Sequence, residues 1–434
     1  MPAHFMKSAA GLPPESNNRT AEIVRTMLDR IAKDGEAAIC DYAASLDGWT
    51  GPVMVSPDRM ARAAAALDDE LKADIRYAHD NIRAFALAQR ASAQDMEIEL
   101  RPGLFAGQRH IPLTTAGCYV PGGRYAHIAS ALMTITTARA AGVENVIACT
   151  PARDENGPPD AVLYAMQLAG ADRIMTLGGV QGIAALAQGY FGGLPADILA
   201  GPGNQFVAEA KRQLFGPVGI DMFAGPTDSM ILADDTADPL VVAWDLVGQA
   251  EHGHNSPVSA ITTSAELGRE VMRLVPRCIA ELPSANATPA RAAWDTLGEV
   301  VHCSNREELA AFADAAAPEH LHVQAADPDW WKSRLKSYGS LFLGDNTTVA
   351  FGDKAAGPNH VLPTSGAARY TGGLSVHKFL KTVTWQRVED QALYDLAQAT
   401  ANISRHEGME AHARTADIRL DRAMRVPVAV NRTG

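Results

Sequence analysis

Two polar side chains with metal-binding chemistry stand at the end of one predicted helix. Gln249 and His252 are three residues apart in the segment GQAEHG, and this spacing places both on one helical face. An imidazole nitrogen next to a second donor atom makes a workable pair of metal ligands. The alternative, in which His252 caps the helix and Gln249 lies at the surface, stays open on the sequence alone.

Further side chains downstream could extend that pair into a nitrogen and oxygen ligand set. Asp353 and His360 flank a Gly/Pro-rich loop that would expose both, and His412 lies near Glu407 in the tail. Such a set suits zinc or manganese, and it lacks the thiolates of a structural zinc site. Spacing along the chain does not indicate whether these residues meet in space.

Glu319 and His320 are adjacent at a predicted helix-to-strand junction, in the segment APEHL. A His–Glu pair can transfer protons and activate water near neutral pH. Neighbouring residues in a strand point to opposite faces, so both can serve one site only where the chain is irregular. The alternative is that the two are ordinary polar surface residues.

Three glycine-rich turns indicate a different chemistry, the binding of phosphate. They are VPGG (120–123), LGGVQG (177–182) and GPGN (201–204). A turn between a strand and the N-terminus of a helix suits a phosphate or nucleotide. None of them has the dinucleotide fingerprint GxGxxG, because Phe206 stands where GPGNQF would need its third glycine. Tight-turn geometry without a ligand is the alternative.

The elements that would position these residues alternate between strands and helices from about residue 100 onward. Helices are predicted between strands at 145–150, 173–177, 196–200, 229–233, 258–262, 299–302, 321–324 and 340–343. Alternation with short links predicts an α/β fold whose parallel sheets are covered by helices on both faces. The polar link near 234–239 splits the pattern into two α/β units, with mainly helical segments before and after them.

Composition and charge exclude several classes of function. The 434 residues carry a net charge of −12 and show no basic block, which argues against nucleic acid or an anionic membrane surface as a partner. Five scattered cysteines form no CxxC pair and predict reduced thiols in a cytoplasmic protein. The N-terminus lacks the apolar core of a secretion signal, and no apolar stretch is long enough to span a membrane.

Eight ordered segments resemble the histidinol dehydrogenase family over nearly the whole chain. They are YVPGG (119–123), GGVQGIAALA (178–187), GPGNQFVAEAKRQ (201–213), IDMFAGPTD (220–228), GQAEHG (248–253), APEHL (317–321), GPNHVLPT (357–364) and EGMEAH (407–412). The resemblance implies two Rossmann-like parallel-sheet domains in a homodimer with shared active sites. The implied divisions are a helical extension (1–104), two α/β domains (105–235 and 236–375) and a helical tail (376–434) that crosses to the partner.

The resemblance also assigns roles to the candidate residues, position by position. The implied zinc ligands are Gln249, His252, Asp353 and His412, with His412 donated by the other subunit. The implied catalytic pair is Glu319 and His320. The positions that match nucleotide contacts are Tyr119, Gln181 and Asn204. The positions that match substrate contacts are Thr227, His360 and Glu407.

The reaction implied is the oxidation of a primary alcohol to a carboxylate in two NAD-dependent steps, through an aldehyde held in the site. Zinc would fix the substrate and polarise the alcohol oxygen. His320 would take the hydroxyl proton, and Glu319 would help water attack the aldehyde.

Two departures from the family pattern bear on the substrate. Arg124 and His127 follow the PGG turn, where histidinol dehydrogenases have small or apolar residues, and Asn255 replaces an acid. Losing an acid and gaining two groups that can be cationic favours an anionic substrate, as in the branch of the family that oxidises sulfopropanediol. Alternatively, Arg124 and His127 contact the NAD pyrophosphate or lie at the surface, and Glu407 counts somewhat against a sulfonate.

Three other functions remain as rivals on the sequence. The nearest is the oxidation of histidinol itself, with the same chemistry in a different pocket. The second is a metal-binding scaffold without redox activity, and the third is zinc-dependent hydrolysis without NAD. The last would leave Gln181 and Asn204 without a purpose.

Overall fold

The computed structural model describes residues 4–11, 17–123, 125–222 and 225–425. The chain forms two compact units. The first comprises Met1–Arg90 and Leu113–Phe379, and the second comprises Ala91–Pro112 and Leu380–Gly434. The predicted site residue Arg124 lies outside the described residues.

Within the described residues, the strands in chain order are β1 (His4–Lys7), β2 (Met96–Arg101), β3 (Leu104–Pro112), β4 (Thr115–Tyr119), β5 (Asn145–Thr150), β6 (Arg173–Thr176), β7 (Ile198–Ala200), β8 (Gly219–Ile220), β9 (Ser229–Ala233), β10 (Val258–Thr262), β11 (Glu299–His302), β12 (His320–Gln324), β13 (Ser340–Leu343) and β14 (Leu380–Val388).

The α-helices in the same part of the chain are α1 (Asn17–Asp34), α2 (Glu36–Asp47), α3 (Pro57–Ala66), α4 (Asp69–Ser92), α5 (Ile128–Ala141), α6 (Asp160–Ala169), α7 (Gly179–Gln188), α8 (Gln205–Leu214), α9 (Pro239–Ala250), α10 (Ala265–Glu281), α11 (Ser284–Leu297), α12 (Arg306–Ala316), α13 (Pro328–Arg334), α14 (Val349–Lys354), α15 (Asp390–His406) and α16 (Glu410–Arg425). Two 3₁₀ helices are at Ala367–Arg369 and Val376–Phe379.

The first unit contains two parallel sheets. One has the order β6-β5-β4-β7-β8, and all of its described pairings are parallel. The other has the order β1-β11-β10-β9-β12-β13, with only the edge strand β1 antiparallel among its described pairings. The predicted α/β fold with two parallel sheets is confirmed.

Alternation along β9 shows how helices cover both faces of the second sheet. Ile231 and Ala233 enter a hydrophobic cluster with residues of α9, α10 and α11. Met230 and Leu232, which point the other way, enter a second cluster with residues of α12 and α13. Successive side chains of a strand point to opposite faces, so one short apolar strand builds both layers of the core.

The same strand lies on the far side of a predicted boundary. The domain division at residue 235 placed Ser229–Ala233 with the first sheet, but β9 pairs with β10 and β12 in the second. The change of sheet therefore falls between β8 and β9. The sequence obscured this because the turn-rich segment before Ser229 resembles the other loops, while the polar link after Ala233 resembles a boundary.

The second unit joins two distant parts of the chain in an antiparallel sheet with the order β14-β3-β2, accompanied by α15 and α16. The sequence predicted helical extensions here and missed all three strands. Each β2 residue is exposed, and β14 pairs with β3 along its whole length, from Leu380 with Pro112 to Val388 with Leu104. Such pairing between remote segments leaves no local apolar pattern.

None of the described helices is both long enough and apolar enough to cross a membrane.

Candidate active site

Three predicted metal ligands meet between α9 and α14. Gln249 lies in the last turn of α9, His252 lies just beyond it, and Asp353 lies near the end of α14. Gln249 Nε2 donates a hydrogen bond to Asp353 Oδ2 at 3.4 Å, and His252 Nε2 lies 3.9 Å from the same oxygen. The buried Oε1 of Gln249 has no hydrogen-bond partner within the described residues. An unpaired oxygen beside a carboxylate and an imidazole is a donor set that fits zinc.

The fourth predicted ligand, His412, belongs to the second unit. His412 lies in the first turn of α16 and Glu407 ends α15, and both are exposed. Among the described residues, His, Cys, Asp and Glu side chains form no group of three or more that could hold a metal ion. The donors brought together in the first unit are therefore one carboxylate, one imidazole and one amide, and the role of His412 stays a prediction.

Glu319 and His320 lie in the same site although they are neighbours in the chain. His320 is the first residue of β12, and Glu319 stands just before the strand, where strand alternation does not apply. His320 Nδ1 lies 3.5 Å from Glu319 Oε2, and its Nε2 lies 3.6 Å from Asp353 Oδ1. That Nε2 is buried and has no hydrogen-bond partner in the described chain. The irregular junction required by the sequence argument is present.

Asp228, which the sequence analysis did not select, holds this pair in place. Its backbone N–H donates to Glu319 Oε2 at 3.0 Å, and its Oδ1 accepts from Glu319 N–H at 2.7 Å. Its carbonyl oxygen lies 3.2 Å from His320 Nδ1. Its other carboxylate oxygen accepts from Ser365 N–H at 3.3 Å. Asp228 directly precedes β9 as Glu319 precedes β12, but only the parallel pairing of the two strands, which the sequence does not show, brings the two residues together.

Burial and neighbouring charges shift the pKa values in this site in different directions. Burial raises the pKa of Glu319 to about 8, with His320 opposing it. Burial lowers the pKa of His320, but the carboxylates of Glu319 and Asp353 outweigh burial and raise it to about 9. Burial also raises the pKa of Asp353, yet the interaction with His320 holds it well below its usual range. The adjacent pair therefore titrates as a coupled unit.

A cavity of about 290 Å³ opens beside these residues, and its lining includes His320, Asp353 and His360. His360 Nδ1 lies 2.9 Å from the carbonyl oxygen of Asp353, and its Nε2 lies 2.9 Å from Ser130 Oγ. Both ring nitrogens of His360 are therefore engaged by the protein, and its predicted substrate contact stays a prediction. Thr227, the other predicted contact in this unit, is half-buried beside Asp228.

His127 lies at the start of α5 and does not carry the charge that the sequence analysis expected. Burial, together with the charges of His360 and Lys354, lowers its pKa to about 4. The imidazole is therefore neutral at pH 7. Its side chain makes no capping hydrogen bond to α5. His127 can bind a substrate as a neutral hydrogen-bond donor, but it does not make the site cationic by itself.

The predicted nucleotide-contacting residues lie at the carboxyl ends of strands in the first sheet. The N–H of Gly179 donates to Tyr119 Oη at 3.1 Å. Gln181 Nε2 donates to Asp47 Oδ2 at 2.9 Å, and its buried Oε1 has no partner among the described residues. Asn204 caps α8, because its Oδ1 accepts from the N–H groups of residues 206 and 207. The LGGVQG and GPGN turns are thus held by hydrogen bonds, while the contact of Tyr119, Gln181 and Asn204 with a nucleotide stays a prediction.

The GPGN turn is held by a close backbone approach and a buried ion pair. Gly201 has φ +120°, and a Cβ there would lie 2.0 Å from the carbonyl oxygen of Tyr119. Asp221 accepts from Gly201 N–H at 2.7 Å and pairs with Lys211, whose Nζ donates to Gly201 O at 3.0 Å. Sequence reasoning missed this pair, because nothing in the spacing shows that both side chains are buried.

Comparisons with known proteins extend over nearly the whole chain. The family model described as histidinol dehydrogenase matches residues 12–420. A protein of Ruegeria pomeroyi named histidinol dehydrogenase homolog is 70% identical over 417 residues, covering 96% of either chain. A Ruegeria pomeroyi sulfopropanediol 3-dehydrogenase is 55% identical over 420 residues, covering 97% of either chain. The crystal structure of histidinol dehydrogenase from Elizabethkingia anophelis has a TM-score of 0.90 at 32% identity, covering 96% of this chain and 94% of that one.

Proposed function

The chain belongs to the histidinol dehydrogenase family, and we propose that it oxidises 2,3-dihydroxypropane-1-sulfonate to 3-sulfolactate with zinc and NAD. One observation carries this proposal. The donor atoms of Gln249, His252 and Asp353 meet next to the buried pair Glu319 and His320. A site that brings metal donors next to a proton-transfer pair fits the oxidation of an alcohol.

The three donor side chains are arranged to bind zinc rather than to form strong hydrogen bonds with one another. The Gln249 Oε1 has no partner, and the long contact between Gln249 Nε2 and Asp353 Oδ2 is a weak hydrogen bond. When bound, zinc would polarise the alcohol oxygen. Its positive charge would also lower the pKa of the His320 imidazole. Manganese is compatible with the same nitrogen and oxygen donors.

His320 is placed to take the proton of the alcohol. Bound zinc would lower the pKa of His320 from about 9, and the neutral ring would then carry its hydrogen on Nδ1, which faces the carbonyl oxygen of Asp228, and leave Nε2 free to accept a proton. That nitrogen is buried and without a protein partner among the described residues. With NAD⁺ bound, the substrate carbon would give up a hydride as the proton reaches Nε2, and the alcohol would become an aldehyde.

Glu319 serves the second oxidation. Water must add to the aldehyde before a second hydride can leave, and a carboxylate can take the proton of that water. Burial raises the pKa of Glu319 to about 8, so it exchanges protons near working pH. The balance is one alcohol, one water and two NAD⁺ giving one carboxylate, two NADH and three protons.

The choice of substrate rests on the relatives and on the two residues that follow the PGG turn, Arg124 and His127. The chain is 55% identical to a sulfopropanediol 3-dehydrogenase and 32% identical to a histidinol dehydrogenase of known structure. A sulfonate is a permanent anion that Arg124 could bind, with His127 as a second donor. A bound sulfonate would also raise the pKa of His127, because it stabilises the charged imidazole.

L-Histidinol, giving L-histidine, is the second candidate substrate. Two observations favour it. The neutral state of His127 removes one of the two cationic groups on which the proposed anion-binding pocket depended. Glu407 is retained, and its carboxylate suits the amine of histidinol rather than a sulfonate.

We further propose that two copies of the chain share their active sites, with His412 and Glu407 of the tail completing the site of the partner. Within one chain, the first unit supplies three donor side chains, so a four-coordinate zinc ion would have one position left for His412 of the other copy or for the substrate. Tyr119, Gln181 and Asn204 would contact the NAD.

The test is NADH formation by the zinc-loaded protein with (R)- and (S)-2,3-dihydroxypropane-1-sulfonate beside L-histidinol. Two NADH for each sulfonate, with histidinol inert, would support the proposal. Turnover of histidinol alone would replace the substrate and assign Arg124 and His127 another role. No absorbance change with either substrate would revive the functions without redox chemistry.

A further inference from the structure

Asp245 lies where three elements of the candidate active site meet. It is on α9, four residues before Gln249, and residues at that spacing share one helical face. Its side chain is 12% exposed. None of the roles proposed above uses it.

One carboxylate oxygen of Asp245 holds the start of α14. Thr348 Oγ1 donates to Asp245 Oδ1 at 2.7 Å. The same hydroxyl caps α14, because it also accepts from Ala350 N–H at 3.4 Å. α14 has only six residues and carries Asp353 in its last turn. A helix this short has little stability of its own, so the direction of the Asp353 carboxylate depends on how the helix is anchored.

The other carboxylate oxygen holds β12. Gln324 Nε2 donates to Asp245 Oδ2 at 2.6 Å, and His322 Nδ1 lies 3.4 Å from the same oxygen. His322 Nε2 lies 2.9 Å from the carbonyl oxygen of Gly344, which fixes the ring. Alternate residues of a strand share a face, so His320 projects on the same side of β12 as His322 and Gln324.

We propose that Asp245 is a positioning residue that sets the direction of Asp353 for metal binding and that of His320 for proton transfer. The inference rests on the zinc site of the proposed function. Side chains that orient metal ligands from one layer away typically change metal affinity by about 10–100-fold when they are removed. The geometry links Asp245 to Asp353 through Thr348 and α14, and to His320 through Gln324 and His322 on β12.

The experiment measures zinc affinity directly, with the full-length, metal-stripped protein titrated against a chromogenic chelator. Thr348→Val keeps the shape of the side chain and removes its hydroxyl, while Thr348→Ser keeps the hydroxyl. Asp245→Asn replaces one acceptor oxygen by a donor that faces the amide of Gln324. The matched control is Thr236→Val, which removes an exposed hydroxyl that donates to Asp234 at 2.5 Å.

We expect T348V and D245N to weaken zinc binding by about 10–100-fold, with T348S and T236V close to the wild type. If T348V binds zinc like the wild type and only its Tm falls, Thr348 and Asp245 are structural and the inference is overturned, while the proposed function stands. If the wild type binds no zinc, the proposed function fails and the inference fails with it. If D245N does not fold, the pair T348V and T348S still decides.

Discussion

The two parallel sheets of the first unit place their functional side chains at opposite ends of their strands. In the first sheet, Tyr119 ends β4 and the GPGN turn follows β7, so the polar turns lie at carboxyl ends. In the second sheet, Asp228 precedes β9 and Glu319 precedes β12. The proposed proton-transfer pair, Glu319 and His320, therefore lies at the amino ends of the strands. Ligands of open α/β sheets usually bind at carboxyl ends, which fits the first sheet alone.

In the second sheet, the candidate site residues therefore lie at the amino edge, where helices end and strands begin. A helix that returns between parallel strands ends at the amino side of the next strand. Gln249 therefore reaches the same edge as Glu319, because α9 ends there just before β10. The two regions meet at His360, which contacts Ser130 of α5 and the backbone of Asp353.

The largest expected effect tests the second sheet. His320→Ala should lower kcat by about 10²–10⁴-fold, because it removes the group that takes the alcohol proton. Zinc should stay bound, since His320 is not among the proposed ligands. Steady-state kinetics and metal content measure the two quantities on one sample, and normal turnover would remove His320 from the chemistry.

The next prediction tests whether that site is completed by a second copy of the chain. His412→Ala and His320→Ala should each be inactive alone. After subunit exchange in equal amounts, about a quarter of the sites should regain activity, because half of the dimers would be mixed and each would have one intact site. Mixtures that remain inactive although exchange is demonstrated would mean that each site lies within one chain.

The third prediction concerns the proposed binding of the sulfonate. Arg124→Ala should weaken binding of the sulfonate by about 1.5–3 kcal/mol, the range for a hydrogen bond to a charged group. The KM for the sulfonate should rise and that for NAD⁺ should not. If the KM for NAD⁺ rises instead, Arg124 contacts the NAD pyrophosphate rather than the substrate.

The smallest expected effect tests the first sheet. Gly201→Ala should lower stability and raise the KM for NAD⁺, because a Cβ would lie 2.0 Å from the Tyr119 carbonyl oxygen. The matched control is Gly216→Ala, at φ +117° with nothing within 4 Å of its Cβ. Both variants carry a similar backbone cost of about 1–3 kcal/mol, so any further loss in Gly201→Ala reports the close approach. If the two variants have equal Tm values and equal KM values for NAD⁺, the turn can move enough to accommodate the added methyl group.

Local patterns predicted the α/β fold well and the candidate site only in part. The strands at Ser229–Ala233, Val258–Thr262 and Ser340–Leu343 were predicted with their observed bounds, because each is a short apolar run between turns. The sequence also selected Gln249, His252 and Asp353, and these meet. Asp228 and Asp245 were missed because their function depends on which strands and helices are neighbours. The charge of His127 was misjudged because its burial cannot be read from composition.

The pairing of β14 with β3 also constrains the order in which the chain can fold. The second unit is made from Ala91–Pro112 and Leu380–Gly434, with most of the first unit between them in the sequence. During synthesis, β2 and β3 leave the ribosome long before β14 is made. The three-stranded sheet therefore cannot be completed until β14 has been synthesised. Contacts between such distant segments are slow to form. A chain stopped before Leu380 would therefore leave β3 with a bare edge, a surface prone to pairing with other chains.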